Sequence, residues 1–331
     1  MTNRMVRVGI LGVGSYVPEK VLTNKDLEAM VDTSDQWITT RTGIKERRIA
    51  AVNEAASDLG VKAGVKALKD AAVAPEEIDL IIVATSTPDM YFPSTACIIQ
   101  DRLNCVNAGA FDLAAGCTGF LYALVVAEQF VRTGSARYVL VIGSEVLSRI
   151  LNWEDRTTCV LFGDGAGAVV MGPVPGEGGV LASYLASEGS GAHLLTLPCS
   201  GSRVPFGAEA PVNHRAFISM QGKEVFKFAV RVMEEATEKV LAKAGLDKED
   251  IHLVVPHQAN IRIIEHYSKK MNLPMERIMT NVDKYGNTSA ASVPLALEEA
   301  LQQGRIKSGD NVLLIGFGAG LTWGAAVIKW V

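Results

Sequence analysis

One numerical offset runs through this chain and limits what it can fold into. Lys66, Leu68, Ala71, Glu76, Ile78 and Leu80 recur 173 positions later as Lys239, Leu241, Ala244, Glu249, Ile251 and Leu253. The same shift pairs Ala123 and Leu124 with Ala296 and Leu297, Gln129 with Gln302, and Arg132 with Arg305. It also carries Val139, Leu140, Ile142 and Gly143 onto Val312, Leu313, Ile315 and Gly316. An offset held constant over about eighty residues marks a duplicated structural unit. Within each copy, helical patterns such as residues 55–72 alternate with apolar runs such as 78–84. That order predicts an α/β chain of two related halves, 1–173 and 174–331. Each half should hold a mixed sheet of largely parallel strands with right-handed crossovers, and the helices should complete a five-layer stack.

The chain has enough apolar material for a large core, at 48% hydrophobic residues in 331. Its first residues lack the long apolar core of a signal peptide, and no apolar run reaches the ~18 residues of a membrane span. A cytoplasmic protein with no membrane partner is therefore expected. Five cysteines, an odd number without a Cys-x-x-Cys pair, support neither a disulfide framework nor a zinc site. No histidine pair has metal-ligand spacing, so no metal is expected. A net charge of −4 and a pI near 5.8 argue against nucleic acid as partner. Gly12-Val13-Gly14-Ser15-Tyr16-Val17 lacks the closing glycine of a dinucleotide loop and runs into Pro18, so these glycines are expected to serve packing.

Residues 114–124 place Cys117 between Gly116 and Gly119, where a strand-like run gives way to a helical one. Glycines permit a tight strand-to-helix turn there, and the helix aims its free N–H groups at the sulfur. Its dipole contributes roughly 1 kcal/mol toward the thiolate, so a lowered thiol pKa is expected. A small buried residue at a packed turn would occupy such a position equally well. The offset carries Cys117 onto Ala290, so the two strand-to-helix turns should converge at the carboxyl ends of the strands, where ligands bind in open α/β sheets. His257, just after an apolar strand run, falls at another such end; a hydrogen-bonded core histidine is the competing reading. Asn287 follows Gly286 and reads alone as a turn residue. His252, His266, His193 and His214 are poorer candidates. Between positions 145 and 161 the first half has roughly sixteen extra residues, free for substrate or dimer contacts. Residues 187–207 are too long and too rich in Gly, Ser and Pro for a mere connector, and are expected to line a pocket.

Over nearly its whole length the sequence resembles the thiolase-fold condensing enzymes, and closely the β-ketoacyl-acyl-carrier-protein synthase III type. The matching segments occur in order: Trp37-Ile-x-x-Arg-Thr-Gly-Ile44, Phe92-Pro93, Ala115-Gly-Cys-x-Gly-Phe120, His257-Gln-Ala-Asn260, Tyr285-Gly-Asn-Thr-Ser289 and Gly316-Phe-Gly-Ala-Gly-Leu-Thr-Trp-Gly324. The resemblance implies that Cys117 takes an acyl group from acyl-CoA. His257 and Asn287 would bind the thioester carbonyl of malonyl-acyl-carrier protein, whose loss of CO2 gives the carbanion that attacks the acyl-cysteine. The residue types suit this chemistry, because decarboxylation needs donors aimed at a developing enolate oxygen rather than a base. A Cys, His, Glu set would instead suit proton abstraction, as in hydroxymethylglutaryl-CoA synthases.

The acyl-enzyme oxyanion is expected between the backbone N–H groups of Cys117 and Ala319, where the family often has glycine. Trp37 and Arg41, four apart on a short helix, suit adenine and CoA phosphate. By resemblance, Arg156 closes over the other adenine face and Phe92 reaches into the acyl pocket of a neighbouring subunit in a homodimer. The strand at 106–113 is expected at that two-fold interface. Lys223, Lys227 and Arg231 repeat along a helix, and Arg262, Lys269 and Lys270 follow His257. All but Arg231 are assigned to carrier-protein binding, and CoA thioester enters as substrate with no cofactor. A ketosynthase of specialised metabolism would carry nearly the same motifs; a non-catalytic relative would be expected to have lost one of Cys117, His257 and Asn287.

Overall fold

The computed structural model describes residues 6–199, 201–205 and 217–331; His214 lies outside them. Two sheets form the frame. The first has five strands in the order Val8–Tyr16, Gly165–Pro173, Val139–Glu145, Leu80–Ala84, Gly109–Leu113. The second has four, Gly179–Ser187, Thr322–Lys329, Asn311–Gly318, Leu253–Pro256, in the matching order. The counterpart of the fifth strand is reduced to one parallel bridge between Val254 and Ile278.

Helix Ala56–Ala71 covers the outer face of the first sheet, burying Leu59, Ala63, Ala67 and Leu68 at helical spacing. Helices Gly222–Ala244 and Ile261–Met271 cover the outer face of the second. Between the sheets lie Gly119–Arg132 and Ser292–Gln302, whose small and apolar side chains form a single core with both inner sheet faces. The result is the expected five-layer, duplicated α/β stack. The symmetry is close: the short helical turns at 75–77 and 248–250, and those at 116–118 and 289–291, all stand 173 apart.

The sheets are not largely parallel. The first has two parallel and two antiparallel ladders, and the second one parallel and two antiparallel. A parallel pair needs a crossover of a dozen or more residues. Only three residues separate Asn311–Gly318 from Thr322–Lys329, so those strands must run antiparallel. Gly12 and Gly14 lie in the first strand against helix Ala56–Ala71, where a Cβ would come 2.2 Å from Ala71 N and 2.4 Å from Ala67 N. They serve packing, as expected.

Arg47, in the basic run Lys45-Glu46-Arg47-Arg48, is fully buried. Its guanidinium donates to Leu22 O (3.2 Å), Asn24 Oδ1 (2.9 Å) and Val160 O (2.7 Å), and burial pushes its pKa down to about 10, still charged at neutral pH. It therefore pins the 145–161 insertion to the N-terminal hairpin. Arg47→Met should strand three acceptors and cost roughly 3 kcal/mol of stability in denaturant unfolding; an unchanged midpoint would contradict this role.

Candidate active site

Cys117 sits in the turn Gly116–Thr118, between edge strand Gly109–Leu113 and helix Gly119–Arg132. The duplicated turn Ser289–Ala291 meets it, as the offset predicts. A Cβ on Gly119 would lie 3.6 Å from the Ala290 Cβ, and one on Gly143 only 2.3 Å from Ala290 O. The end of strand Asn311–Gly318 approaches from a third side, so that a Cβ on Gly318 would fall 2.6 Å from Cys117 N. Gly116 has φ +53° and faces Ala319 N, which a Cβ would reach at 2.9 Å. Thr322 Oγ1 donates to Ala115 O (3.0 Å) and Thr118 Oγ1 to Thr322 O (3.2 Å), locking these turns together. Ala319 is not among the residues of positive φ, so its side chain is tolerated where the family often has glycine.

Cys117, His257 and Asn287 all line one cavity of about 460 Å³. His257 follows strand Leu253–Pro256, and its N–H donates to Ile315 O at 2.8 Å. Its Nδ1 is 2.5 Å from Ser292 Oγ, and its ring stands edge-on to Phe317. Gln258 N–H donates to the same Ser292 oxygen at 3.4 Å; with the Ser292 hydroxyl donating to Nδ1, the imidazole proton sits on Nε2. Burial pushes the His257 pKa down to about 3, so the ring is neutral at pH 7. The Asn287 Oδ1 accepts from Ser289 N–H at 2.9 Å, which orients the amide and leaves its NH2 as the donor end. Both backbone groups of Asn287 are also held: its N–H donates to Leu161 O and its C=O accepts from Gly163 N–H. Gly286, with φ 64° and ψ −156°, supplies a backbone that side-chain-bearing residues rarely adopt.

The expected lowering of the Cys117 pKa is overturned. Burial pushes the thiol up to about 12 from an ordinary 9.0, about 4 kcal/mol against the thiolate. The helix dipole, roughly 1 kcal/mol, is too small to offset that. Cys105 and Cys159 are pushed up to about 11 by burial as well. What distinguishes Cys117 is therefore its place, between the large cavity and a second one of about 200 Å³. The smaller cavity is walled by Leu147, Ile150, Phe162, Leu195, Leu197 and Ile218. The 187–207 loop, expected to line a pocket, does so in its described part through Leu195, Thr196 and Leu197, and the 145–161 insertion lines the two cavities as well.

Trp37 and Arg41 line the larger cavity. The guanidiniums of Arg41 and Arg156 lie 5.0 and 5.2 Å from the Trp37 ring centroid, and Arg156 also donates to Asp32 O at 2.8 Å. Lys223 lines the same cavity. Arg262 stacks 5.9 Å from the Phe226 ring, whereas Lys227 pairs with Glu224, Arg231 with Glu188 and Lys270 with Glu234. Lys269 is exposed on the same helix as Arg262. Phe92 is not brought to either cavity; it is 85% exposed, beside Met90 and Tyr91. The strand at 106–113, expected to be buried, is an exposed to half-buried edge in the single chain. His252, His266 and His193 are all exposed and line neither of these two cavities.

Three residues that the sequence did not single out complete the cluster: Ser292, Ser289 and Glu145. Glu145 carries a legible signal, a carboxylate ending the otherwise fully apolar and small strand Val139–Glu145. Among the described residues there is no cluster of three or more His, Cys, Asp or Glu able to hold a metal, and no helix long and apolar enough to cross a membrane.

This duplicated five-layer architecture is that of the thiolase-fold condensing enzymes, a class of acyltransferases. A family model described as 3-oxoacyl-[acyl-carrier-protein] synthase III matches residues 111–189, and its C-terminal companion matches 241–330. The β-ketoacyl-[acyl-carrier-protein] synthase III of Caldanaerobacter subterraneus subsp. tengcongensis is 58% identical over 98% of both chains. The crystal structure of 3-oxoacyl-[acyl-carrier-protein] synthase III from Aquifex aeolicus superposes with a TM-score of 0.91 at 50% identity, over 98% of this chain and 100% of that one. The priming β-ketosynthase of the R1128 polyketide pathway superposes at 0.92 with 38% identity, over 98% and 97%. The chain belongs to the β-ketoacyl-[acyl-carrier-protein] synthase III family.

Proposed function

We propose that the protein condenses a short acyl-CoA with malonyl-acyl-carrier protein, giving 3-oxoacyl-acyl-carrier protein, CoA and CO2, and so initiates fatty acid synthesis. The observation that carries this reading is the meeting of Cys117, the neutral His257 imidazole and the Asn287 amide in one cavity. Cys117 holds the acyl group, with its carbonyl oxygen between the Cys117 and Ala319 N–H groups. His257 and Asn287 stabilise the enolate left when malonyl loses CO2. Trp37, Arg41 and Arg156 bind CoA at the mouth, and the 200 Å³ apolar cavity beyond Cys117 takes a short acyl chain. Lys223 and Arg262, with Lys227, Lys269 and Lys270, draw in the acidic carrier protein.

The exposed Tyr91, Phe92 and Val106, beside the open edge of strand Gly109–Leu113, support a homodimer in which Phe92 completes the partner's acyl pocket. The division into halves at 1–173 and 174–331, a cytoplasmic location and the absence of any cofactor belong to the same reading. Purified protein given a panel of acyl-CoAs and malonyl-acyl-carrier protein should gain one acyl mass on Cys117 and release 3-oxoacyl-acyl-carrier protein, both read by mass spectrometry. Acylation at Cys97, Cys105, Cys159 or Cys199, or no product with malonyl-acyl-carrier protein, would overturn it.

A further inference from the structure

His257 and Ser292 occupy the positions that Ala84 and Gly119 hold 173 residues earlier. Ala84 ends strand Leu80–Ala84, and Gly119 opens helix Gly119–Arg132. His257 likewise follows strand Leu253–Pro256, and Ser292 opens helix Ser292–Gln302. In the first half this strand-to-helix joint is closed by packing alone: a Cβ on Gly119 would lie 3.1 Å from the Ala84 Cβ. In the second it is closed by a hydrogen bond, with His257 Nδ1 2.5 Å from Ser292 Oγ and the two residues only 2% and 1% exposed. The architecture therefore does not require a polar pair there. The pair stands in the copy whose strand end shares a cavity wall with Cys117 and Asn287.

We propose that Ser292 is a positioning residue for decarboxylation: its hydroxyl donates to His257 Nδ1, which holds the imidazole proton on Nε2 and presents that N–H to the enolate oxygen. The inference rests on the condensation reading above. Ser292 Oγ accepts the N–H of Gln258 at 3.4 Å. Were Nδ1 protonated, it too would donate to Ser292 Oγ, and the serine's own proton would have no acceptor among the described residues. In a buried site such an orphaned donor is costly, whereas hydroxyl donation to Nδ1 satisfies both side chains. The bond made by one ring nitrogen thus decides which nitrogen carries the proton.

The residue type matters. A carboxylate at 292 could only accept, so it would draw the proton to Nδ1 and turn the Nε2 lone pair toward the enolate oxygen, repelling the charge that decarboxylation develops. An alanine would leave Nδ1 without a partner and remove the preference between the tautomers. Serine donates and accepts without adding charge, which suits an imidazole that must stay neutral in a buried site. The angle of the ring is set as well: Phe317 stands edge-on to it with 5.2 Å between centroids, and His257 N–H donates to Ile315 O.

The test is the nitrogen NMR spectrum of ring-labelled histidine in the intact protein, with the His257 signals assigned by their loss in His257→Gln. Wild-type protein should show a protonated Nε2 and an unprotonated, hydrogen-bonded Nδ1. Ser292→Ala should show the two tautomers mixed. It should also release CO2 from malonyl-acyl-carrier protein roughly tenfold more slowly, the weight of one hydrogen bond, while acyl-Cys117 forms at near the wild-type rate. Ser292→Thr, which restores the hydroxyl, should recover most of that loss. A proton on Nδ1 in active wild-type protein overturns the proposal, even where Ser292→Ala does not fold. Equal slowing of both half-reactions in Ser292→Ala, as from a merely structural role, overturns it too. Wild-type protein with Nε2 protonated that releases no CO2 from malonyl-acyl-carrier protein sinks the condensation reading instead.

Discussion

Asn287→Ala protein is expected to form acyl-Cys117 from an acyl-CoA at near the wild-type rate while releasing CO2 from malonyl-acyl-carrier protein roughly 10²–10³-fold more slowly. The amide NH2 of Asn287 has no task in acylation, because its Oδ1 end is committed to Ser289 N–H and its donor end faces the cavity chemistry. Cys117→Ala should show the reverse pattern. It cannot hold an acyl group, so condensation vanishes, yet the two donors remain and a slow CO2 release persists. His257→Ala is a less clean probe, since it also frees Ser292 and opens space against Phe317. Labelled-CO2 release measured beside intact mass separates the two roles. Asn287→Ala that decarboxylates normally but fails to acylate would make Asn287 an orienter of the nucleophile.

Gly318→Ala should abolish acylation more thoroughly than its single methyl suggests. The new Cβ would lie 2.6 Å from Cys117 N, closer than real Cβ contacts come, and a tight 3.1 Å from both Cys117 Cα and Cβ. Neither side can yield cheaply. The Cys117 turn is tied to Ala319 and Thr322 by the Thr118 and Thr322 hydroxyls, and Gly318 ends a strand paired along its length. The strain must therefore move the sulfur and the Cys117 and Ala319 N–H groups apart, and a displacement near 1 Å costs about 10²-fold in rate. Acyl-Cys117 formation followed by mass, with thermal unfolding to show the fold retained, checks this. Acylation at the wild-type rate would mean that the two turns do not approach as closely as the structure has them.

Much of this was legible in the residues because it is local or periodic. The 173-residue offset carried the duplication, and the structure repeats it to the residue at the turns 116–118 and 289–291. Cys117, His257 and Asn287 could be singled out because glycines and strand ends mark where backbone turns sharply near a ligand. Trp37 and Arg41 were readable as a pair because helical spacing puts them together.

What the tertiary structure decided is chiefly electrostatic and non-local. Sequence reasoning gave Cys117 a lowered pKa from a helix it could see. The fold buries that thiol among residues far away in the chain, and desolvation pushes its pKa up instead. Arg47 stands in the charged run Lys45-Glu46-Arg47-Arg48, yet the fold turns it inward onto carbonyls from residues 22 and 160. Strand direction depended on connection length measured against sheet geometry, so the three-residue link at 319–321 made an antiparallel pair where alternation alone suggested parallel ones. Glu145, Ser289 and Ser292 stand up to 147 positions apart, from 145 to 292, with no motif joining them. They become one cluster with Cys117 and His257 because two homologous turns meet at the carboxyl ends of two sheets. Proximity of that kind is a property of packed layers, whereas spacing along a chain specifies only what one helix or one strand can bring together.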